Sequence, residues 1–461
     1  MTKGNSGQPP ADRTLSRGLA SCGLDRVRAA ARKDPSLRFT ALLHHVTPSL
    51  LEDAYHALKH DAAPGVDGET WASYGENLED RIADLHVRVH GGRYRAKPSK
   101  RAWIPKGDGR MRPLGIAALE DKIVQQAVVW VLNAIYEVDF LGFSYGFRPG
   151  RGAHDALDAL WVALVERPVN WVLECDIRSF FDTLDHERLV ELLGDRIGDR
   201  RLLRLIRKWL RAGVSEDGEW SRTTVGTPQG AVISPLLANI YLHAVLDRWV
   251  VEWRSRAARG DVYIVRYADD YVVGFQHRDD AERCLAEMRE RFARFGLELH
   301  SEKTRLIEFG RFAAERRARR GEGKPETFAF LGFTHICGKR RSDGRFTVHR
   351  QSHAKRLRMK VKEVRAWLMA HRHDPVPAMG RRLRPVVQGY FNYHAVPGNS
   401  PALGTFRQEV SRAWLWALRR RSQKGRHLGW NRFSHLRDTW LPEARILHPY
   451  PNVRFHASHP R

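Results

Sequence analysis

The stretch Val262 to Phe275, VYIVRYADDYVVGF, constrains this chain more than any other. β-Branched and aromatic residues flank the step Ala268-Asp269-Asp270, which predicts two short antiparallel strands joined by a tight turn. Two adjacent carboxylates at the tip of an apolar hairpin repel each other and lose hydration, so something positive must compensate them. Alone, an Asp-Asp pair is more often a solvated turn. A third carboxylate upstream, in WVLECDIRSFFDTLDH, reverses that balance. Trp171 to Cys175 reads as a buried strand ending at Asp176, and a helical pattern starts near Asp185. A strand-end aspartate meeting a hairpin-tip pair supplies hard oxygen ligands for Mg²⁺, with Mn²⁺ able to substitute. Two such ions about 4 Å apart serve phosphoryl transfer by activating the attacking oxygen and stabilising the leaving one.

The order of DIRSFFDTLDH, TPQGAVISPLLANIYLH and YADD resembles the palm of a reverse transcriptase, specifically the group II intron-encoded reverse transcriptase and maturase family. The resemblance runs from about Gly65 to about Phe433. It implies an α+β right-hand polymerase with fingers, an antiparallel palm sheet and a helical thumb that doubles as the maturase domain. The divisions expected are a basic tail over 1–35, an N-terminal extension and template-side fingers over 36–100, and fingers and palm over 101–345. The thumb follows over 346–425, then a basic aromatic segment over 426–461.

The same resemblance implies roles for single residues. Asp176, Ile177, Asp269 and Asp270 stand at the metals, the three aspartates being catalytic. Phe181 is the aromatic under the sugar that excludes a ribose 2′-hydroxyl. Lys106 and Arg112, on the strands flanking Gly107-Asp108-Gly109, hold the incoming triphosphate, and Lys303 lies near it as a general acid toward pyrophosphate. Gln229 offers an amide to the minor groove, and Gly230 lets backbone approach the templating base pair. Pro64 to Gly68 resembles an element that holds the template strand, and TFAFLGFTHIC resembles the strand pair that grips the primer. On local chemistry alone, Pro64 to Gly68 serves equally as an interhelix loop, the basic hairpin as solvated surface and Phe181 as a core aromatic.

Charge narrows the partners. The chain carries 78 Lys and Arg against 53 Asp and Glu, a net +25, which suits a polyanion whose counterions are released on binding. No run of some twenty apolar residues occurs, so a membrane span is not expected and the reading is a soluble, intracellular protein. Cys22, Cys175, Cys284 and Cys337 are scattered and make no Cys-x-x-Cys pair, so neither a zinc site nor a disulfide framework is indicated. No His-Asn-His endonuclease pattern with cysteine pairs occurs.

In chain order, residues 1 to about 35 lack an apolar period. Phe39 to Leu58 carries a helical stripe, Leu78 to Val89 a second helix, and Ile123 to Ile135 a well-buried one. GFSYGFRPGRGAHDAL interleaves aromatic and basic groups as an RNA cradle that includes Arg148, with packing of the aromatics as the alternative. Arg316 to Gly323 reads as a charged loop. Leu357, Val361, Val364 and Leu368, then Phe406, Val410, Trp414 and Leu418, repeat an amphipathic design, with VVQGYFNYH between them, and predict a three-helix thumb. Lys360, Lys362, Arg365, Arg419, Arg420 and Arg421 are expected on its outer surface, which the charge excess makes RNA-facing, with a solvated helical bundle without ligand as the alternative. The final segment is expected to pack against the thumb or the RNA.

The functional expectation is an RNA-directed DNA polymerase that copies intron RNA and assists its splicing. Its partners are intron RNA, an RNA template with a DNA primer, deoxynucleoside triphosphates and target DNA. The competing readings are an RNA-binding splicing cofactor without polymerase activity and a host-recruited, defence-associated reverse transcriptase.

Overall fold

The computed structural model describes residues 22–105, 111–216, 219–221, 226 and 230–458. Lys106, Gln229 and residues 1–21 lie outside the described residues. Eleven strands are described: β1 Ser99–Pro105, β2 Met111–Ile116, β3 Trp171–Cys175, β4 Val214–Glu216, β5 Glu219–Ser221, β6 Val262–Tyr267, β7 Asp270–Phe275, β8 Arg305–Glu308, β9 Phe328–Phe330, β10 Phe333–Lys339 and β11 Phe346–Ser352. They form three sheets, ordered β6-β7-β3-β8, β2-β1-β4-β5 and β11-β10-β9. The first is wholly antiparallel, with β3 between β7 and β8. This is the mixed helix and antiparallel-sheet architecture of a right-hand polymerase.

The palm sheet is buried on both faces. Leu173, Val273 and Phe275 point into the larger apolar cluster with the helix Leu119–Asp139, while Val172, Val265 and Val272 join a second cluster with the helix Ala153–Glu166. Burial on both faces explains why β3 reads as an apolar run rather than an alternation. The helices Ala354–Ala370, Val376–His394 and Ser400–Arg419 form a third cluster around Leu368, Leu383, Phe391 and Trp414.

Several sequence expectations are corrected. The stripe from Phe39 to Leu58 is not one helix: Thr47 caps a new helix, accepting from Leu50 N–H, and Pro48 takes the first-turn position that a helix interior would refuse. Residues 22–33, assigned to the tail, form a helix whose Leu24, Val27 and Ala31 are buried. Part of the charged stretch before β9, Ala313–Arg319, is helical. It is held by Arg316 and nearby Arg320 on the buried Glu308 rather than by an apolar face.

The final segment packs in two places. Phe433 and Trp440 of the helix Trp430–Trp440 lie on the thumb, the Trp440 ring against Gly380. The helix Pro451–Ser458 instead returns to the palm helix Ala153–Glu166, where Arg454 pairs with the buried Asp158. Asp158 also pairs at 2.9 Å with the buried Arg350 of β11.

Candidate active site

The hairpin β6-β7 closes in a two-residue turn. Tyr267 pairs with Asp270, so Asp270 opens the second strand and only Ala268 and Asp269 turn the chain. Ala268 adopts φ +56°, a left-handed conformation that a non-glycine residue keeps only when its surroundings enforce it. Two contacts do so. Gly146 packs beneath the turn, where any side chain would collide with Ala268 N, and Arg266 donates from Nη1 to Ala268 O at 3.0 Å.

Arg266 belongs to a buried network that sequence reasoning missed. Its guanidinium is fully buried and bidentate on Asp247, Nε to Oδ1 at 2.7 Å and Nη2 to Oδ2 at 2.5 Å, and it reaches Asn239 Oδ1 at 2.9 Å. Asn239 Nδ2 in turn donates to Gly146 O at 2.7 Å. Burial pushes the Asp247 carboxyl up, but the charge of Arg266 and hydrogen bonds from His243 and Arg266 outweigh it and the net displacement is downward. A strand arginine and a helix aspartate nineteen residues apart look like two surface charges in sequence. A π turn over His243–Asp247 is the local irregularity beside them.

Asp176 arrives from the neighbouring strand. The β3-β7 register runs from Trp171↔Phe275 to Cys175↔Tyr271, so its next step sets Asp176 beside Asp270. Desolvation, the dominant cause, raises the carboxyls of both Asp269 and Asp270, and the charge of Asp176 adds to both. Asp270 retains solvent access, and it is pushed up to about 6 by that desolvation and by Asp269 at its side. Among the described residues neither Asp269 nor Asp270 has a basic group at ion-pair distance. Lys303 Nζ instead stands 2.6 Å from Asp176 Oδ2, and among the described residues no three Asp, Glu, His or Cys side chains close around one point. The mutually repelling pair, without a direct ion-pair partner among the described residues, fits a divalent cation. Asp176 would complete that donor set by exchanging Lys303 for the ion.

Ile177 fits as a backbone ligand only. Its side chain is buried, and the ladder bonds of the Ile177↔Leu299 bridge run from Arg178 N to Glu298 O and from His300 N to Asp176 O, which leaves the Ile177 carbonyl out of them.

The raised Asp270 has a consequence for stability. Its folded carboxyl binds a proton more readily than the unfolded one, so it contributes stability below about pH 4 that is lost as pH rises through about 6. Metal-free Asp270→Asn protein is therefore expected to melt at a higher temperature than the parent above pH 6 and with no difference near pH 4. An equal gap at both pH values in thermal melts would contradict the assignment.

Other site candidates divide. Phe181 is half-buried and edge-on to the buried Phe180, with ring centroids 5.4 Å apart. Arg112 is exposed on β2 opposite Ile104. At Gly230 φ is +111°, and an added Cβ would lie 2.8 Å from Gly115 O of β2, so its freedom lets the chain pass against the fingers sheet. Arg148 is not an RNA contact. It is 5% exposed and spent internally on Glu137, Leu141 O and Ser144 O, because its side chain turns inward while Phe147 beside it stays exposed.

On the thumb, Lys360 pairs with Glu363 at 2.8 Å, Arg365 and Arg420 both lie over the Trp416 ring, Arg419 donates to Leu428 O, and Arg421 to His373 O. Lys362 is exposed. Arg356 lies close enough to Asp270 for its charge to lower that carboxyl.

Residues 104–335 match the family model described as reverse transcriptase (RNA-dependent DNA polymerase), half of the chain. The chain belongs to the reverse transcriptase family. RNA-directed DNA polymerisation is that family's activity, and divalent metal ions are its general requirement. Protein YkfC of Escherichia coli K12 is 38% identical to this reverse transcriptase over 275 residues, 53% of this chain and 72% of YkfC. The group II intron-encoded protein LtrA of Lactococcus lactis is 34% identical over 241 residues, 51% of this chain and 39% of LtrA. An uncharacterized 91 kDa protein in the cob intron of Schizosaccharomyces pombe is 43% identical over 158 residues, 34% of this chain and 19% of that one. The reverse transcriptase thus spans well under half the length of both intron proteins. Among its described residues no helix is long and apolar enough to cross a membrane.

Proposed function

We propose that the protein extends a DNA primer on an RNA template with deoxynucleoside triphosphates, at a centre built from Asp176, Asp269 and Asp270, and that it binds intron RNA and assists its splicing. The observation that carries the polymerase reading is the register of β3 on β7, which brings Asp176 beside a hairpin-tip pair that, among the described residues, has no direct ion-pair partner. Two Mg²⁺ held by these carboxylates and the Ile177 carbonyl would activate the primer 3′-hydroxyl and take up charge on the reacting phosphate. Lys303, already poised at Asp176, is placed to donate a proton toward departing pyrophosphate. Arg112 offers a planar fork to the triphosphate, and Lys106 a second positive charge. Phe181 closes the space a ribose 2′-hydroxyl would need, and Gln229 contributes an amide. The divisions given above, from fingers through thumb, are part of the same proposal.

The splicing half rests on the names of the relatives and on the surplus of 25 positive charges. The polymerase half is tested by primer extension on poly(rA) with oligo(dT). Extension is expected with dTTP and Mg²⁺, to be abolished by chelation and restored by added Mg²⁺, and to be far weaker with the ribonucleotide. Extension that persists in excess chelator would remove the metal centre from the reading.

A further inference from the structure

The helix Arg200–Arg211 has two unlike faces. Leu202, Leu205, Ile206 and Trp209 are buried in the core. Arg200, Arg204, Arg207 and Arg211 recur at i, i+4, i+7 and i+11, one stripe about 16 Å long. The stripe walls a cleft of ≈ 1220 Å³ that is completed by Arg38, Arg95, Ala96, Pro98 and Trp220. Arg211 is neutralised by Glu187, and Lys208 is turned onto the carbonyls of Gly92 and Tyr94. Among the described residues, Arg38, Arg95, Arg200, Arg204 and Arg207 have no carboxylate at ion-pair distance. Stacking like charges at helical spacing disfavours the helix itself. A solvated convex face would spread them apart, whereas here they converge on a concavity.

An aromatic surface stands at the same place. Gly213 adopts φ +79°, and a Cβ there would come within 2.7 Å of Trp220 Nε1, so the indole lies against bare backbone. Its Nε1–H donates to Ala212 O at 3.1 Å, yet the residue is 58% exposed. The ring is thus fixed before any ligand arrives, as a stacking platform requires. Cations along a groove beside a rigid aromatic match a single strand, whose phosphates and unpaired bases are both accessible.

The position says which strand. Trp220 lies in β5, at one edge of the sheet β2-β1-β4-β5, and the opposite edge strand β2 carries Arg112 and abuts Gly230 of the candidate active site. Three strand spacings, about 14 Å, separate the two edges. None of Asp176, Asp269 and Asp270 lines the cleft.

We propose that this cleft holds single-stranded RNA, the stretch of template not yet copied, with phosphates along the arginine stripe and a base on Trp220. The identity of the strand as template rests on the polymerase reading; the RNA site itself does not.

The test compares full-length parent, Arg204→Gln/Arg207→Gln and Trp220→Ala proteins. Binding is measured without nucleotides to two labelled primer-template duplexes, one with a long single-stranded 5′ RNA overhang and one blunt. The parent is expected to bind the overhang substrate roughly tenfold more tightly, and each variant to lose that preference while binding the blunt duplex as before. The double variant should also reduce the log-log salt slope for the overhang substrate by about 1.4, two contacts at about 0.7 each, while Trp220→Ala leaves it unchanged. A retained preference in both variants, or an equal loss on both substrates, would overturn the proposal. Because no nucleotide is added, a protein that failed to polymerise could still pass this test, so failure of the two readings is distinguishable.

Discussion

Asp269→Asn protein is expected to extend oligo(dT) on poly(rA) at least about 10³-fold more slowly than the parent in single turnover, while binding the duplex with unchanged affinity. Removing one ionised oxygen from a metal site forfeits several kcal/mol of transition-state stabilisation, and about 4 kcal/mol is a thousandfold in rate. Asn keeps the volume and hydrogen-bonding capacity of the side chain at a turn already fixed by Gly146 and Arg266, so the fold should survive. Excess Mn²⁺ should recover only part of the rate, since the missing charge is in the protein. A rate within tenfold of the parent would remove Asp269 from the chemistry.

The second large effect concerns the support behind that turn. Asp247→Ala leaves the Arg266 guanidinium buried and unpaired, which costs about 3–5 kcal/mol, a large share of the stability of most domains. The double variant Arg266→Met/Asp247→Leu removes both charges and is expected to regain most of that loss in urea denaturation. It should nevertheless extend primers slowly, because nothing then holds the Ala268 carbonyl and the left-handed turn beneath Asp269. Restored stability with restored extension would show that the ion pair serves folding alone.

These two cases also mark how far the sequence could be read. The hairpin at Asp269-Asp270 and the strand into Asp176 were legible because their physics is local: β-branched runs flanking a turn and an apolar strand with a carboxylate at its end. The Arg266-Asp247-Asn239 network was not, since its members lie on separate elements and each alone resembles solvated charge. Arg148 was misjudged for the same reason, as its carbonyl acceptors become acceptors only when its side chain turns inward. The helix Ala313–Arg319 carries no apolar period, so pairing with Glu308 had to replace the usual signal. Lys303 was placed near the chemistry, but its seat on Asp176 required the return of the chain 127 residues later.

The pairing of Arg454 with Asp158 sets an order of events on the ribosome. The two residues are 296 positions apart, so at about 5–20 residues per second the palm helix is synthesised roughly 15–60 s before its last partner exists. Throughout that interval the nascent palm leaves Asp158 and Glu166, and the apolar site later covered by Phe455, without their partners from Pro451–Ser458. A chaperone that shields this site during translation would protect the emerging enzyme more than one supplied after release.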